Sequence, residues 1–184
     1  MGLFDKLFSN KDKKSDKKNK EKDEKKYFDS PYGKFWYDST PACEEYGYDC
    51  EIDWNDGDEE KTWVFVETDT PETEEARLCY ERFERIFQDK QRYDFEAKNT
   101  VAGFIISHPE YFFDSTYEKV GKDILIENMK ITWLGVRRNG DIEYDMDTYY
   151  VRADNMHLTV CDDGIKKIEY DDTSEMCHKE YLIN

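Results

Sequence analysis

Histidines are the side chains in this chain best suited to general acid–base chemistry or to metal binding. There are three, His108, His157 and His178, and neither an H-E-x-x-H motif nor a regular spacing of acids accompanies them. Cys177 directly precedes His178, without the spaced second pair of ligands that a zinc site needs. We therefore expect structural roles for the three histidines and predict neither a catalytic residue nor a metal site.

Residues 53–60, with the sequence DWNDGDEE, form an acidic segment that invites comparison with a calcium-binding loop. Gly57 stands at the fifth place rather than the sixth, and no glutamate occupies the twelfth. The Asn55-Asp-Gly57 motif is instead typical of a β-hairpin turn on a solvated face. No phosphate-binding glycine loop and no G-x-S-x-G motif occurs, so the sequence predicts no enzyme and no cofactor.

Carboxylates combined with aromatic side chains are the feature that points to a function. Surfaces that bind basic proteins use aromatic anchors flanked by acids. The alternative is that the aromatic residues form the core and the acids only solvate the surface. The candidate partner-binding residues are Asp53, Trp54, Asp56, Asp58, Glu59, Glu60, Asp145, Asp147 and Tyr149.

The charge is unevenly distributed along the 184 residues, which carry a formal net charge of −17. Residues 1–26 contain ten lysines and six acids, which leaves 17 basic and 38 acidic residues, a net charge of −21, for residues 27–184. A field of that sign repels phosphates and anionic membranes and attracts cationic surfaces. The sequence therefore predicts a basic protein partner and no direct binding of nucleic acid.

Residues 1–26 have the composition of a flexible, disordered Lys-rich tail. A short amphipathic turn comes first, and residues 10–26 carry no apolar side chain that could offset the entropy of ordering. The turn could make a weak membrane contact, so a peripheral membrane or scaffold-associated protein, recruited by its tail, is the alternative function. The apolar residues of the turn are Leu3, Phe4, Leu7 and Phe8.

Cysteine usage and hydropathy predict the compartment. The five cysteines are widely and irregularly spaced, no secretory signal is recognisable, and no apolar run approaches the roughly 20 residues that span a bilayer. We predict a cytoplasmic protein with free thiols. The oligomeric state and the identity of the partner stay open at this stage, and so does an unrecognised hydrolase, which would need a pocket joining a histidine to a carboxylate.

Hydrophobic periodicity predicts an α+β fold in a single acidic domain over residues 27–184. A mostly antiparallel sheet carries two central helices packed on one face. The first helix begins at Thr70-Pro71-Glu72 and extends to about residue 87, and the second covers about 94–107. Strands are predicted at 33–38, 46–54, 62–67, 124–126, 130–136, 141–144, 156–161 and 165–170.

With these elements in order, residues 30–170 resemble a family of small, acidic, uncharacterised bacterial domains. Some members sit among the immunity proteins of contact-dependent and polymorphic toxin systems. The resemblance is carried by Tyr32-Gly33-x-Phe35, the acidic Trp-containing hairpin, the two central helices, and His157-Leu-Thr-Val160 before Asp163-Gly164. Met156 stands where the family pattern has glycine. The resemblance implies an immunity-type inhibitor that covers a basic toxin or nuclease domain with its acidic face.

Overall fold

The computed structural model describes residues 26–40, 45–55, 57, 59–69, 74–172 and 177–182. Several sequence predictions therefore lie outside the described residues. They concern the amphipathic start Leu3, Phe4, Leu7 and Phe8, the lysine-rich segment that follows it, the acids Asp56 and Asp58, and the helix start at residues 70–72.

The described residues form one sheet of nine strands, and the order of the strands in the sheet is their order in the sequence. The strands are β1 (Tyr27–Ser30), β2 (Gly33–Thr40), β3 (Glu45–Ile52), β4 (Thr62–Glu67), β5 (Lys130–Val136), β6 (Ile142–Asp147), β7 (Ala153–Cys161), β8 (Gly164–Asp172) and β9 (Cys177–Leu182). Neighbouring strands are antiparallel except β4 and β5, which are parallel. The sheet is thus two antiparallel meanders joined at one parallel pair, and the predicted α+β class with a mostly antiparallel sheet is confirmed.

The helices that the structure describes all lie between β4 and β5, where a parallel pair requires a long crossover. They are α1 (Glu74–Gln88), α2 (Lys90–Ser107), α3 (Pro109–Phe112) and α4 (Lys122–Asn128). The two long helices occupy the positions that the sequence predicts, and the two short ones were not expected.

The predicted strand at 124–126 is wrong, because these residues lie within α4. Leu125 is buried while Ile124 is largely exposed, as expected of a short helix that presents one side to the core. Gly121 caps the helix with an extended backbone, and Lys122 and Asp123 fill its first turn. An apolar run of three residues is too short to distinguish the period of a strand from that of a helix.

The two edge strands, β1 and β9, were not predicted as strands. Phe28 is the buried residue of β1, and β9 reads Cys-His-Lys-Glu-Tyr-Leu with little alternation. Short and charged edge strands pair along one side only, which limits the hydrophobic signal that they carry.

The helices pack on a single face of the sheet, which we call the covered face. Phe35 of β2 contacts Tyr80 and Phe83 of α1, with both ring centroids 5.5 Å away. At the other end of the sheet, Phe112 of α3 lies 4.8 Å from Tyr170 of β8. Side chains alternate along a strand, so their neighbours project from the opposite side. We call that side the open face, because none of the four described helices lies on it.

Candidate partner-binding face

The strand register aligns a row of polar and aromatic side chains across the open face. Each residue of this row is the cross-strand partner of the next, from β3 to β9. We call it the central row. It consists of Glu51, Trp63, Trp133, Asp145, His157, Glu169 and Glu180.

Aromatic rings lie flat on the sheet in the part of the open face formed by β3 to β5. Phe65 and Trp133 stack with centroids 6.3 Å apart and an interplanar angle of 21°. A Cβ at Gly47 would lie 2.4 Å from the Phe65 ring, and one at Gly135 would lie 2.2 Å from the Trp133 ring. The two glycines therefore provide the room that the rings occupy. Beside them, Trp63 is 47% exposed.

The guanidinium of Arg137 lies over the faces of the two stacked rings. Its guanidinium carbon lies 5.3 Å from the centroid of Phe65 and 5.5 Å from that of Trp133. The guanidinium also forms an ion pair with Glu143, with Nε 2.6 Å from the carboxylate. A cation over an aromatic face is favourable, so this contact restricts the motion of the rings. We call Trp63, Phe65 and Trp133, together with Arg137, the aromatic shelf.

A second pair of exposed rings extends the open face toward the first edge of the sheet. Tyr27 and Trp36 are cross-strand partners with centroids 5.0 Å apart, and Lys34 Nζ lies 3.9 Å from the centre of the Tyr27 ring. Asp49 lies between Trp36 and Phe65 in the strand register. Asp49 of β3 therefore separates the ring pair of β1 and β2 from the rings of β4 and β5.

Strands β6 to β9 carry a chain of ion pairs, which we call the histidine network. His157 Nδ1 lies 2.5 Å from Asp145 Oδ1, and its Nε2 lies 3.9 Å from Glu169 Oε2. The other oxygen of Glu169 is 3.1 Å from His178 Nε2, and His178 Nδ1 is 3.0 Å from Asp171 Oδ1. The two imidazoles thus share one carboxylate, and each has a second carboxylate of its own.

The network favours the charged forms of its members. Burial lowers the pKa of His157, but the hydrogen bond to Asp145 and the charges of Asp145, Glu143 and Glu169 outweigh it, so the pKa lies above the ordinary value. Hydrogen bonds to Asp171 and Glu169 likewise raise the pKa of His178. Burial raises the pKa of Glu169, but hydrogen bonds from Lys167 and His178, together with the charges of Lys167 and His157, outweigh burial and lower the pKa below its ordinary value.

His157 also lies near a hydroxyl, which raises the question of catalysis. Thr159 Oγ1 is 3.3 Å from His157 Nε2, and Asp145 contacts the other ring nitrogen of His157. A hydroxyl, an imidazole and a carboxylate in this order resemble the nucleophile, base and acid of a catalytic triad. Thr159 is only 3% exposed, however, so a substrate cannot reach its hydroxyl. Carboxylates on both sides also favour the protonated imidazole, which cannot act as a base. The arrangement is therefore best described as an ion-pair network.

The structure brings two distant parts of the predicted acidic site together. Asp147 lies two residues beyond Asp145 on β6, and burial raises its pKa, with the charge of Glu60 as the next cause. Glu60 belongs to the β3–β4 hairpin, and its carboxylate lies 3.6 Å from Lys130 Nζ, at the start of β5. Lys130 and Asp147 are themselves cross-strand partners. Tyr149 follows in the β6–β7 loop and is exposed.

Trp54, which the sequence predicted as a partner-binding residue, is buried rather than exposed. It is 3% exposed, and its indole Nε1–H donates a hydrogen bond to Asp94 Oδ1 at 3.0 Å. Its ring lies 6.2 Å from that of Phe87. Trp54 continues the alternation of the buried residues Cys50 and Ile52 just beyond the end of β3, and α2 supplies the acceptor that its N–H needs when buried.

The described hairpin acids Asp53 and Glu59 lie at the surface. Asp53 forms an ion pair with Lys61, and its main-chain carbonyl accepts a hydrogen bond from Lys90 at 3.3 Å. Glu59 is exposed. The hairpin is therefore anchored to α2 through Lys90, while the carboxylates of Asp53, Glu59 and Glu60 face solvent or neighbouring lysines.

The candidate partner-binding residues named from the sequence include neither Trp63 nor Trp36. In Thr62-Trp-Val-Phe-Val66 both faces of the strand are apolar, so alternation cannot tell which set is buried. The histidine network was missed because His157 and His178 are far from each other in sequence and meet only through the registers of β7, β8 and β9. The alternating acids of β6 and β8 were the available signal.

Within the described ranges, no group of three or more His, Cys, Asp or Glu side chains is arranged to hold a metal ion. The described helices also include none that is both long and apolar enough to cross a membrane. Cys50, Cys79 and Cys161 carry free thiols, and burial, with the charges of Asp49 and Glu51, raises the pKa of Cys50 to about 11.

Comparison with known proteins gives no relative from which a function could be transferred. No protein-family model matches the chain, no curated protein matches its sequence, and no solved structure matches its fold.

Proposed function

We propose that this chain is a non-enzymatic binding domain whose open face covers a basic protein, in the manner of an immunity-type inhibitor of a basic toxin or nuclease. The observation that carries the proposal is the set of exposed aromatic rings flanked by carboxylates on a sheet face that the described helices leave uncovered. Trp63 is the most exposed ring of the aromatic shelf.

The central row suggests how a cationic side chain would bind. Glu51 and Trp63 are cross-strand partners, and Asp145 pairs with Trp133 on the other side. An arginine of the partner could therefore stack on the Trp63 ring while its guanidinium meets a carboxylate. Stacking and bidentate pairing are the two contacts for which arginine is suited.

The size of the open face is compatible with a stable interface. Nine strands spaced about 4.8 Å apart span roughly 38 Å, and strands of about six residues are roughly 20 Å long, which gives on the order of 800 Å². Stable complexes bury about 800 Å² on each partner. The open face alone therefore offers the area that one partner contributes.

The overall charge supports a basic partner rather than a neutral one. Residues 27–184 carry a net charge of −21, and acids are distributed over both halves of the open face, from Asp49 and Glu51 on β3 to Asp171 on β8. Such a field accelerates association with a cationic surface and makes it sensitive to salt. The resemblance to immunity proteins is what suggests a toxin or nuclease as that partner.

The test is retention of a basic protein from the lysate of the native host, followed by measurement of its affinity for purified variants. We expect one basic protein to be retained at low salt, released at high salt, and lost by a Trp36→Ala, Trp63→Ala double variant. A Phe95→Ala variant is the matched control, because Phe95 is an equally exposed ring on α2. Equal binding by the double variant and the control would contradict the proposal.

A further inference from the structure

We infer that a cleft beside the end of β4 binds a small molecule through a phosphate group, a site separate from the open face. The cleft has a volume of about 530 Å³ and is lined by α1, the end of β4 and the β5–β6 hairpin. Three arginines line it, Arg82, Arg85 and Arg138, in a domain whose net charge is strongly negative.

Arg82 and Arg85 lie one turn apart on α1 and face this cleft together. Within the described part of the chain, neither guanidinium forms an ion pair with a carboxylate. Acids outnumber basic residues by 44 to 27 in the whole sequence, so two neighbouring arginines without an acidic partner are unexpected. Their charge is therefore left for an external anion.

Arg82 is positioned by the β5–β6 hairpin. Its Nη1 lies 3.5 Å from the carbonyl oxygen of Arg137, at the limit of a hydrogen bond. The guanidinium nitrogens would lie 3.4 and 3.5 Å from a Cβ at Gly140, where the backbone has a φ of +97°. Glycine is thus favoured at position 140 both by the turn and by the close approach of Arg82. The contact with the hairpin orients the Arg82 guanidinium before any ligand binds.

The carboxylates that line the cleft already have cationic partners. The main-chain N–H of Arg138 donates to Glu67 Oε2 at 2.9 Å, and the Arg138 side chain pairs with both Glu67 and Asp69. Glu81, which lines the cleft, has its Oε1 atom 3.7 Å from Nε of Arg77, and Arg77 itself does not line the cleft. Arg77 and Arg138 offset two of the three carboxylates of Glu67, Asp69 and Glu81, so Arg82 and Arg85 leave a surplus of one positive charge.

A phosphate monoester fits this arrangement better than a single carboxylate. It carries close to two negative charges at neutral pH, it presents several acceptor oxygens, and guanidinium groups bind it through paired hydrogen bonds. The volume lies within the range of small-molecule sites. Leu78 is 55% exposed and lines the cleft with Cys79, which provides an apolar surface for the remainder of the ligand.

Calorimetric titration of the full chain with adenosine monophosphate and with inorganic phosphate, at low ionic strength, tests the inference. We expect saturable binding of at least the nucleotide, weakened at least tenfold by Arg82→Gln, Arg85→Gln. The Arg92→Gln variant is the control, because Arg92 is an arginine of α2 that is already paired with Asp89 and Glu96. It should bind like the wild type.

A single Arg85→Gln variant keeps the test valid if the double variant does not fold, since Arg85 is exposed; we expect it to weaken binding at least threefold. Binding of both probes supports a site for the phosphate group itself, and tighter binding of the nucleotide supports a contribution from Leu78. Absence of saturable binding below about 10 mM, or wild-type affinity in the arginine variants, would overturn the inference. None of these outcomes tests the proposed role of the open face.

Discussion

The two halves of the open face are built from the same sheet but are stabilised in different ways. In the half formed by β1 to β5, rings lie on glycines and the contacts are mainly apolar, as at Gly47 and Phe65. In the half formed by β6 to β9, alternating acids and histidines hold one another, as at His157 and Asp145. The comparison shows that one half depends on shape and the other on charge, so different perturbations should separate them.

The largest effect is expected from Gly47→Ala, which disrupts the half that depends on shape. The new Cβ would lie 2.4 Å from the Phe65 ring and 2.6 Å from the main-chain oxygen of Val66, so both the ring and the backbone must move. We expect a loss of about 2–3 kcal/mol in the free energy of unfolding, measured by urea denaturation.

Gly121→Ala is the matched control for this substitution, since a Cβ at Gly121 has no neighbour within 4 Å. It should change the free energy of unfolding by less than about 1 kcal/mol, mainly because alanine is less favourable than glycine at the N-cap of α4. Equal losses in the two variants would show that the close approach of Phe65 to Gly47 is not what the substitution perturbs.

The next effect concerns binding by the aromatic shelf. Trp63→Ala should weaken affinity for the basic partner by about 2 kcal/mol, or roughly thirtyfold, because exposed tryptophans at the centre of an interface act as anchors. Most of the change should appear in the dissociation rate, measured by surface plasmon resonance. A change below twofold would remove Trp63 from the interface.

Charge-neutralising substitutions in the hairpin should act mainly on the rate of association. Replacing Asp53, Glu59 and Glu60, together with Asp56 and Asp58, by amides is expected to slow association by about threefold to tenfold at low salt. Unfolding should be affected little, because Asp53 and Glu60 form exposed ion pairs with lysines. Unchanged association kinetics at low salt would exclude these acids from steering.

The histidine network should make only the charged half sensitive to pH near neutrality. The folded-state pKa of His157 is raised above its unfolded value, so the protonated ring stabilises the fold. That stabilisation is complete below about pH 6.5 and is lost as the pH rises through the folded-state pKa. The difference in unfolding free energy between wild type and His157→Gln should therefore shrink as the pH rises above about 6.5.

His178→Gln is the comparison variant for this experiment. His178 has 58% of its side chain exposed, so solvent screens its ion pairs and its pH dependence should be weaker than that of His157. A constant difference between wild type and His157→Gln across the range would mean that the network does not couple protonation to folding.

The smallest effect is expected from deletion of residues 1–26. If the open face is the binding surface, the partner's affinity should change less than about twofold, within the range of surface charge effects. Cosedimentation with anionic vesicles provides the second readout. Loss of partner binding on deletion, together with vesicle binding by the full chain alone, would favour recruitment by the tail.

Elements with a regular local hydrophobic period were predictable from the sequence. The β3–β4 hairpin and β4 itself were predictable, because Tyr48, Cys50 and Ile52 alternate with acids and Asn55-Asp-Gly57 marks the turn. The buried stripe of α1 was equally clear, including Tyr80 and Phe83. Each of these elements shows the hydrophobic period of a strand or a helix over a continuous stretch of residues.

The candidate site was less predictable because it depends on register between strands. The pairing of β5 with β6 shifts between Ile131 and Trp133, and that of β7 with β8 shifts between Thr159 and Val160. Such bulges change which residues face each other and leave little trace in one sequence. The β6–β7 pairing is regular, but its register is not visible in one sequence, so the contact of Asp145 with His157 could not be predicted although Asp145 was predicted as a site residue.

The parallel pairing of β4 with β5 bears on how the domain folds. Each meander is made of neighbours in sequence and can form from local contacts, whereas the β4–β5 pair must wait for closure of the whole helical crossover. The aromatic shelf spans that junction, with Trp63 on one strand and Trp133 on the other. A nascent or partly folded chain would therefore lack the shelf, so the ability to capture a partner should arise late, together with the complete native sheet.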